Sequence, residues 1–383
     1  MRLQRVFFVV VALLLQVRQG DSESSKRGTR KLRLRKLNRS NGVEFASRMH
    51  YCREPTLHTS VQLIDNDESV LQEMKSASSS GRSMLMINQN ETIMRGGRGH
   101  TQAGDHPADL HQVIFDTGSA NLWIASTNCH SRGCRMHPRY NPSKSSSYVP
   151  SDTELEVRFG TGAVRGAMAR ETVAIGDLRL RKQAFGEIRD EEGGVFENIG
   201  FSGILGLAFP SMSTFGVKPT FDHLLEKNWL DLSAFSFYYS DFPHQDSAIF
   251  FGPPDPDYFH PPFKYVDVME ERYWAAALTS VRLSSHPDVN LCFGTCKVAI
   301  DTGTSLIAGP SGAIRRLLSL LELGASSSSA HHSNSSSHCQ GADEMPTLTF
   351  ELGGSVQLEL EPKDYLIGHG PGGPPTLLKT QAK

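Results

Sequence analysis

After residue 17 this 383-residue chain has no apolar run long enough to cross a bilayer. The body is therefore expected to be soluble and lumenal, with no transmembrane anchor in the mature chain. Cys-x-x-Cys pairs are absent, so a structural zinc site lacks its usual ligand spacing. Helical periodicity is scarce and confined to Thr220 to Lys227 and Ser311 to Leu323. Positive charge is scarce in the body too. Residues 101–383 hold 22 Lys and Arg against 32 Asp and Glu, a net of −10. That balance disfavours nucleic acid as a partner, which calls for a basic body.

What is present is a duplicated signal. Phe115-Asp116-Thr117-Gly118-Ser119 and Ile300-Asp301-Thr302-Gly303-Thr304 lie 185 residues apart. Each follows an apolar run that reads as a buried strand, Val113 to Phe115 and Val298 to Ile300. One such Asp belongs, by default, to a turn or a cap. A strand, Asp-Thr-Gly and hydroxyl unit occurring twice is instead a way for two halves of a chain to bring two carboxylates together.

Two carboxylates a few ångströms apart cannot both ionise easily, because like charges repel at low dielectric. One keeps a proton, and the pair titrates as a unit. The charged member can take a proton from water, which then attacks a peptide carbonyl. The protonated member can bond the carbonyl oxygen and help protonate the leaving nitrogen. No metal, cofactor or covalent intermediate is required. Gly118 and Gly303 let the backbone approach the carboxylates and donate N–H bonds. Thr117 and Thr302 can lock the two loops by hydroxyl bonds, and Ser119 and Thr304 set hydroxyls beside the outer carboxylate oxygens.

The rest of the chain is organised around this pair. Residues 1–20 read as a secretory signal, with a charged start and a mostly apolar Val6 to Val17. Residues 21–104 read as a basic prosegment and linker. The first 100 residues carry a net charge of +8, with eight cations and no acid between Lys26 and Arg39. Lys31 to Arg35 alternates like a strand. A basic leader before an acidic body suits a segment that covers an acidic cleft. Ser76 to Gly81 and Arg95 to Gly104 read as exposed linker where cutting can occur. From Gln112 onward, short β-rich runs alternate with Gly, Pro, Asn and Ser, for example Asn121 to Ala125, Glu156 to Phe159, Ala248 to Phe251 and Thr347 to Phe350. The fold class is mainly β, with one lobe over residues 105–245 holding Asp116 and a second over 246–383 holding Asp301. Six cysteines fit an oxidising compartment. Cys129 and Cys134, and Cys292 and Cys296, have loop-stapling spacings, while Cys52 and Cys339 have no evident partner. Ala325 to Ser337 reads as a surface loop rich in Ser, His and Asn, and its histidines are taken as loop composition rather than metal ligands.

From about Pro107 to Leu366 the chain resembles the pepsin-like aspartic proteases. The marks are Phe115 to Trp123, the Cys129/Cys134 loop, Phe159-Gly160-Thr161-Gly162, Gly203 to Ala208, Tyr273-Trp274, the Cys292/Cys296 loop and Ile300 to Leu306. The wording is most similar to apicomplexan plasmepsins and toxomepsins, in particular the plasmepsin IX and X maturase branch. The resemblance implies a bilobal fold with the cleft between the lobes, and an endopeptidase made as a zymogen and inhibited by its own prosegment. Asp116 and Asp301 would be the catalytic dyad. Phe159, Gly160 and Thr161 would form the flap, with Trp123 behind it, and Ile114 and Ile204 would line an apolar subsite. Disulfides Cys129–Cys134 and Cys292–Cys296, no cofactor, a monomer, protein or peptide substrates and a secretory or acidic lumen are implied as well. A non-catalytic peptide-binding protein on the same fold is the alternative reading.

The chain departs from the family pattern in three places. Phe159 stands where most relatives carry Tyr, so a hydroxyl bond to Trp123 is not available. No first strand is readable before Pro107. After Leu366 the family's Leu-Gly-Asp segment and closing strands do not follow, so the second lobe is expected to be truncated.

Overall fold

The computed structural model describes residues 5–8, 30–34, 49–50, 63–65, 92–93, 111–159, 162–175, 178–198, 201–238, 247–253, 255, 264–294, 296–304, 307–321, 345–365 and 368–369. The expected signal segment lies outside these residues except for Arg5–Phe8, and so do the expected linker stretches, Cys52, Cys339 and the Ser/His loop.

The chain is mainly β. One seven-stranded sheet contains Asp116, and in spatial order its strands are Thr92–Ile93, Gln112–Asp116, Gly203–Gly206, Leu122–Ala125, Leu178–Glu192, Gly162–Ile175 and Val149–Phe159. A six-stranded sheet leads to Asp301, in the order Val356–Leu360, Leu348–Leu352, Ala275–Leu283, Cys296–Ala299, Arg5–Phe8 and Leu63–Asp65. Phe235–Tyr238, Ser247–Phe251 and Arg30–Leu34 form a third sheet.

Residue type explains the strands. Val356, Leu358 and Leu360 alternate inward with exposed Gln357 and Glu359, the period of a sheet with one wet face. Leu122–Ala125 sits inside its sheet and is buried at all four positions. The two expected helices are present. Thr220–Glu226 and Ser311–Leu320 each begin after a proline, Pro219 and Pro310. Ser311–Leu320 turns Ala313, Ile314 and Leu317 into the core, the stripe of an amphipathic helix. No helix among the described residues is long and apolar enough to cross a membrane.

The strand expected over Lys31 to Arg35 is observed as Arg30–Leu34, paired antiparallel with Ser247–Phe251. One expectation is corrected. A strand does precede the first Asp-Thr-Gly: Thr92–Ile93 pairs antiparallel with Gln112 and Val113. Two residues are too few to show an alternating pattern, which is why it was illegible.

The strands that lead to Asp116 and Asp301 have matching surroundings. Gln112–Asp116 has an antiparallel neighbour in Thr92–Ile93 and a parallel one in Gly203–Gly206. Cys296–Ala299 has an antiparallel neighbour in Ala275–Leu278 and a parallel one in Arg5–Phe8. A parallel neighbour requires a long crossover, so neither arrangement is visible in local sequence.

Candidate active site

Asp116 ends the strand Gln112–Asp116, and Asp301 lies two residues past Cys296–Ala299. The apolar residues before them anchor the two loops in the core: Val113 and Phe115 on one side, Val298 and Ile300 on the other. Both aspartates are only 6% exposed. Asp301 lies close enough to Asp116 to raise the pKa of its carboxyl.

Around each carboxylate the contacts repeat. The Gly118 N–H donates to Asp116 Oδ1 at 2.8 Å, and the Gly303 N–H donates to Asp301 Oδ1 at 2.8 Å. The Ser119 hydroxyl donates to Asp116 Oδ2 at 2.5 Å, and the Thr304 hydroxyl donates to Asp301 Oδ2 at 2.5 Å. A Cβ placed on Gly118 would come within 2.6 Å of the Asp301 carboxyl. One placed on Gly303 would come within 2.3 Å of Asp116 Oδ1. Each glycine therefore lies against the opposite carboxyl, where no side chain fits.

Thr117 and Thr302 bind the two loops directly. The Thr117 N–H donates to Thr302 Oγ1 at 3.0 Å, and the Thr302 N–H donates to Thr117 Oγ1 at 2.9 Å. The Thr117 hydroxyl donates to the Ile300 carbonyl at 2.8 Å, and the Thr302 hydroxyl donates to the Phe115 carbonyl at 2.6 Å. All four bonds are buried, so breaking one leaves a polar group without water.

Burial is the main cause that lifts the Asp116 carboxyl well above the usual carboxylate range, followed by the charge on Asp301. Bonds from Ser119 and the Gly118 N–H pull it down but do not prevail. Such a pair holds one proton over a wide pH range. It can serve as a base and an acid in the same site.

Four of the remaining candidate residues gather in one apolar cluster. Ile204 pairs in register with Ile114 on one side and Trp123 on the other. Ile114, Ile204, Trp123 and Phe159 belong to one apolar cluster with Leu155, Val164, Met168, Ile188 and Phe196. Phe159 pairs with Gly162 across a tight hairpin. Gly160 and Thr161 lie outside the described residues. Cys129–Cys134 and Cys292–Cys296 are disulfides.

Three further residues have roles that local sequence does not reveal. The Trp274 indole N–H donates to the Leu207 carbonyl at 2.9 Å, and the Leu207 N–H donates to the Asp116 carbonyl at 2.7 Å. Trp274 thus braces the backbone at Asp116. Next to it, the Tyr273 phenol has a raised pKa, through burial first and then the charges on Asp301 and Asp116, against the lowering effect of Arg272. Tyr273-Trp274 was noticed as a motif, but nothing local told which backbone it meets. Phe196 packs on Trp123 and Phe159, and its loop carries no distinctive pattern.

Residues 100–374 match the eukaryotic aspartyl protease family. The chain is 36% identical to Pepsin A of Gallus gallus over 248 residues, 65% of this chain and 65% of that protein. It is 36% identical to Cathepsin E of Mus musculus over 263 residues, 68% of this chain and 64% of that protein. With Cathepsin D of Gallus gallus it shares 38% identity over 215 residues, 55% of this chain and 54% of that protein. The chain spans 54% to 65% of the length of these relatives.

Proposed function

This chain belongs to the eukaryotic aspartyl protease family, and from that premise we propose that it is an endopeptidase working through Asp116 and Asp301. The carrying observation is the symmetric pair of buried carboxylates, each bonded by its own glycine N–H and hydroxyl. One carboxylate takes a proton from a substrate water. That water attacks the scissile carbonyl, whose oxygen accepts a bond from the protonated carboxyl. Collapse of the tetrahedral adduct breaks the C–N bond, and the nitrogen leaves with a proton from the dyad. The hydroxyl and N–H donors hold the carboxylates in place, so little reorganisation accompanies the step.

The Phe159–Gly162 hairpin serves as the flap, with Gly160 and Thr161 at its tip. Ile114 and Ile204 line an apolar subsite, which favours hydrophobic side chains beside the cut. The basic leader is an inhibitory prosegment. Its cationic strand Arg30–Leu34 completes a sheet with Ser247–Phe251, and the net acidity of the body favours that association. Acid protonates body carboxylates and weakens it. The amino-terminal signal pattern and two disulfides favour synthesis in the secretory pathway. The resemblance to the apicomplexan maturase branch supports other secretory proteins as substrates.

The test is cleavage of an unfolded protein by the purified chain across acidic and neutral pH. Activity at acidic pH that vanishes in both Asp116→Ala and Asp301→Ala is the expected result. Full activity in either variant overturns the dyad.

A further inference from the structure

In the hairpin closed by Phe159 and Gly162, Phe159 has no hydroxyl with which to reach Trp123, so something else must hold it. Three aromatic rings meet there. Phe159 lies 6.1 Å from Trp123 and 6.2 Å from Phe196, and Trp123 lies 6.5 Å from Phe196. The Phe196 contacts are edge-on, a favoured geometry for aromatic pairs. Phe196 is 5% exposed, although it sits on a short turn, Gly194–Asn198.

Two glycines explain how deeply that ring is seated. A Cβ on Gly162, which opens the returning strand of the hairpin, would come within 2.8 Å of the Phe196 ring. A Cβ on Gly133 would come within 2.9 Å of Phe196 Cβ and 3.0 Å of its carbonyl oxygen. Gly133 lies inside the loop closed by Cys129–Cys134. The same loop makes one further contact to the turn and one to the strand Leu178–Glu192 that leads into it. Arg132 pairs with Glu197 at 3.2 Å, and the Glu191 N–H donates to Ser131 Oγ at 3.2 Å. Phe196 is thus wedged between a disulfide-stapled loop and the turn end of the hairpin.

Resting on the reading of this hairpin as the flap, we propose that Phe196 is a positioning residue that latches it. The Cys129–Cys134 loop acts on substrate binding through that ring. Aromatic packing against Trp123 and Phe196 does the work a phenol bond would do. The disulfide keeps Gly133, and with it Phe196, in register. The stapled loop is then part of the binding apparatus rather than a remote staple.

Hydrogen exchange read by mass spectrometry on the full chain tests this without needing turnover. In Phe196→Ala, amides of Leu155 to Val164 exchange faster, while those of Leu348 to Leu360 keep wild-type rates. Cys129→Ser/Cys134→Ser reproduces the change, and Phe196→Leu, the milder variant should the alanine fail to fold, shows part of it. KM for a peptide substrate rises about tenfold in Phe196→Ala, the loss of two aromatic contacts. Hairpin exchange at wild-type rates in both Phe196 variants overturns the latch. Absence of Asp116-dependent cleavage in the wild type would overturn the protease reading instead, and the exchange result would still decide the latch.

Discussion

Thr117 and Thr302 exchange hydrogen bonds as mirror partners: each hydroxyl accepts the other residue's backbone N–H and donates to the carbonyl that precedes the opposite aspartate. Two loops 185 residues apart in sequence are joined by four buried bonds. The separation of the two carboxylates is therefore fixed by the backbones that carry them.

Thr117→Val keeps the shape and removes the hydroxyl. It should cost roughly 1–3 kcal/mol of stability, since two buried partners lose their bonds. The resulting displacement of the dyad should lower kcat/KM by about a hundredfold. Thr117→Ser should stay near wild type in both. Urea unfolding and peptide kinetics on the two variants check this, and equal behaviour of Val and Ser would refute it.

Burial and Asp301 raise the Asp116 pKa, so the folded chain binds a proton there more tightly than the unfolded chain. Stability from this group is complete below the ordinary value of 3.8 and is lost as pH rises through the raised value. Asp116→Asn removes the titration. The variant should melt above wild type at neutral pH, the gap should close in acid, and activity should fall to background. Thermal melts across pH provide the measurement.

Glu187 works in the opposite sense. Its carboxyl is fully buried, which raises its pKa, but donors from Arg189, Ser126, Tyr148 and Asn128 outweigh burial and hold it below the usual range. Its stabilisation is present above the ordinary 4.5 and is lost as pH falls through the lowered value. Tyr148→Phe deletes a 2.8 Å bond to Oε2 and should cost about 1 kcal/mol at neutral pH. The deficit should shrink in strong acid. A pH-independent deficit would show that Tyr148 contributes packing alone.

Gly303→Ala puts a methyl group where 2.3 Å separates it from Asp116 Oδ1. Something must shift, and the carboxyl is what lies there. Peptide cleavage should drop at least about a hundredfold, while circular dichroism stays β-rich. Gly312→Ala, where a Cβ meets nothing within 4 Å, is the control and should leave activity unchanged.

Much of the fold was legible because its signals are local. Apolar runs marked the strands ending near Asp116 and Asp301, alternation over Lys31 to Arg35 marked Arg30–Leu34, and helical periodicity marked Thr220–Glu226 and Ser311–Leu320. Thr92–Ile93 was missed because two residues carry no period. The roles of Phe196, Glu187 and Trp274 were missed for another reason. Each acts through partners remote in sequence, such as Trp274 on Leu207, 67 residues away, and no spacing rule encodes such a meeting.

The amino-acid sequence alone determined which acids stand ready and what surrounds them, since Asp-Thr-Gly followed by a hydroxyl is a short-range pattern set by backbone turn chemistry. Only the tertiary structure decided that the two units face each other, that each glycine lies against the opposite carboxyl, and that Phe196 packs on Trp123 and Phe159. Those facts depend on loop closure over many residues, where packing and buried hydrogen bonds, rather than neighbour preferences, select one arrangement.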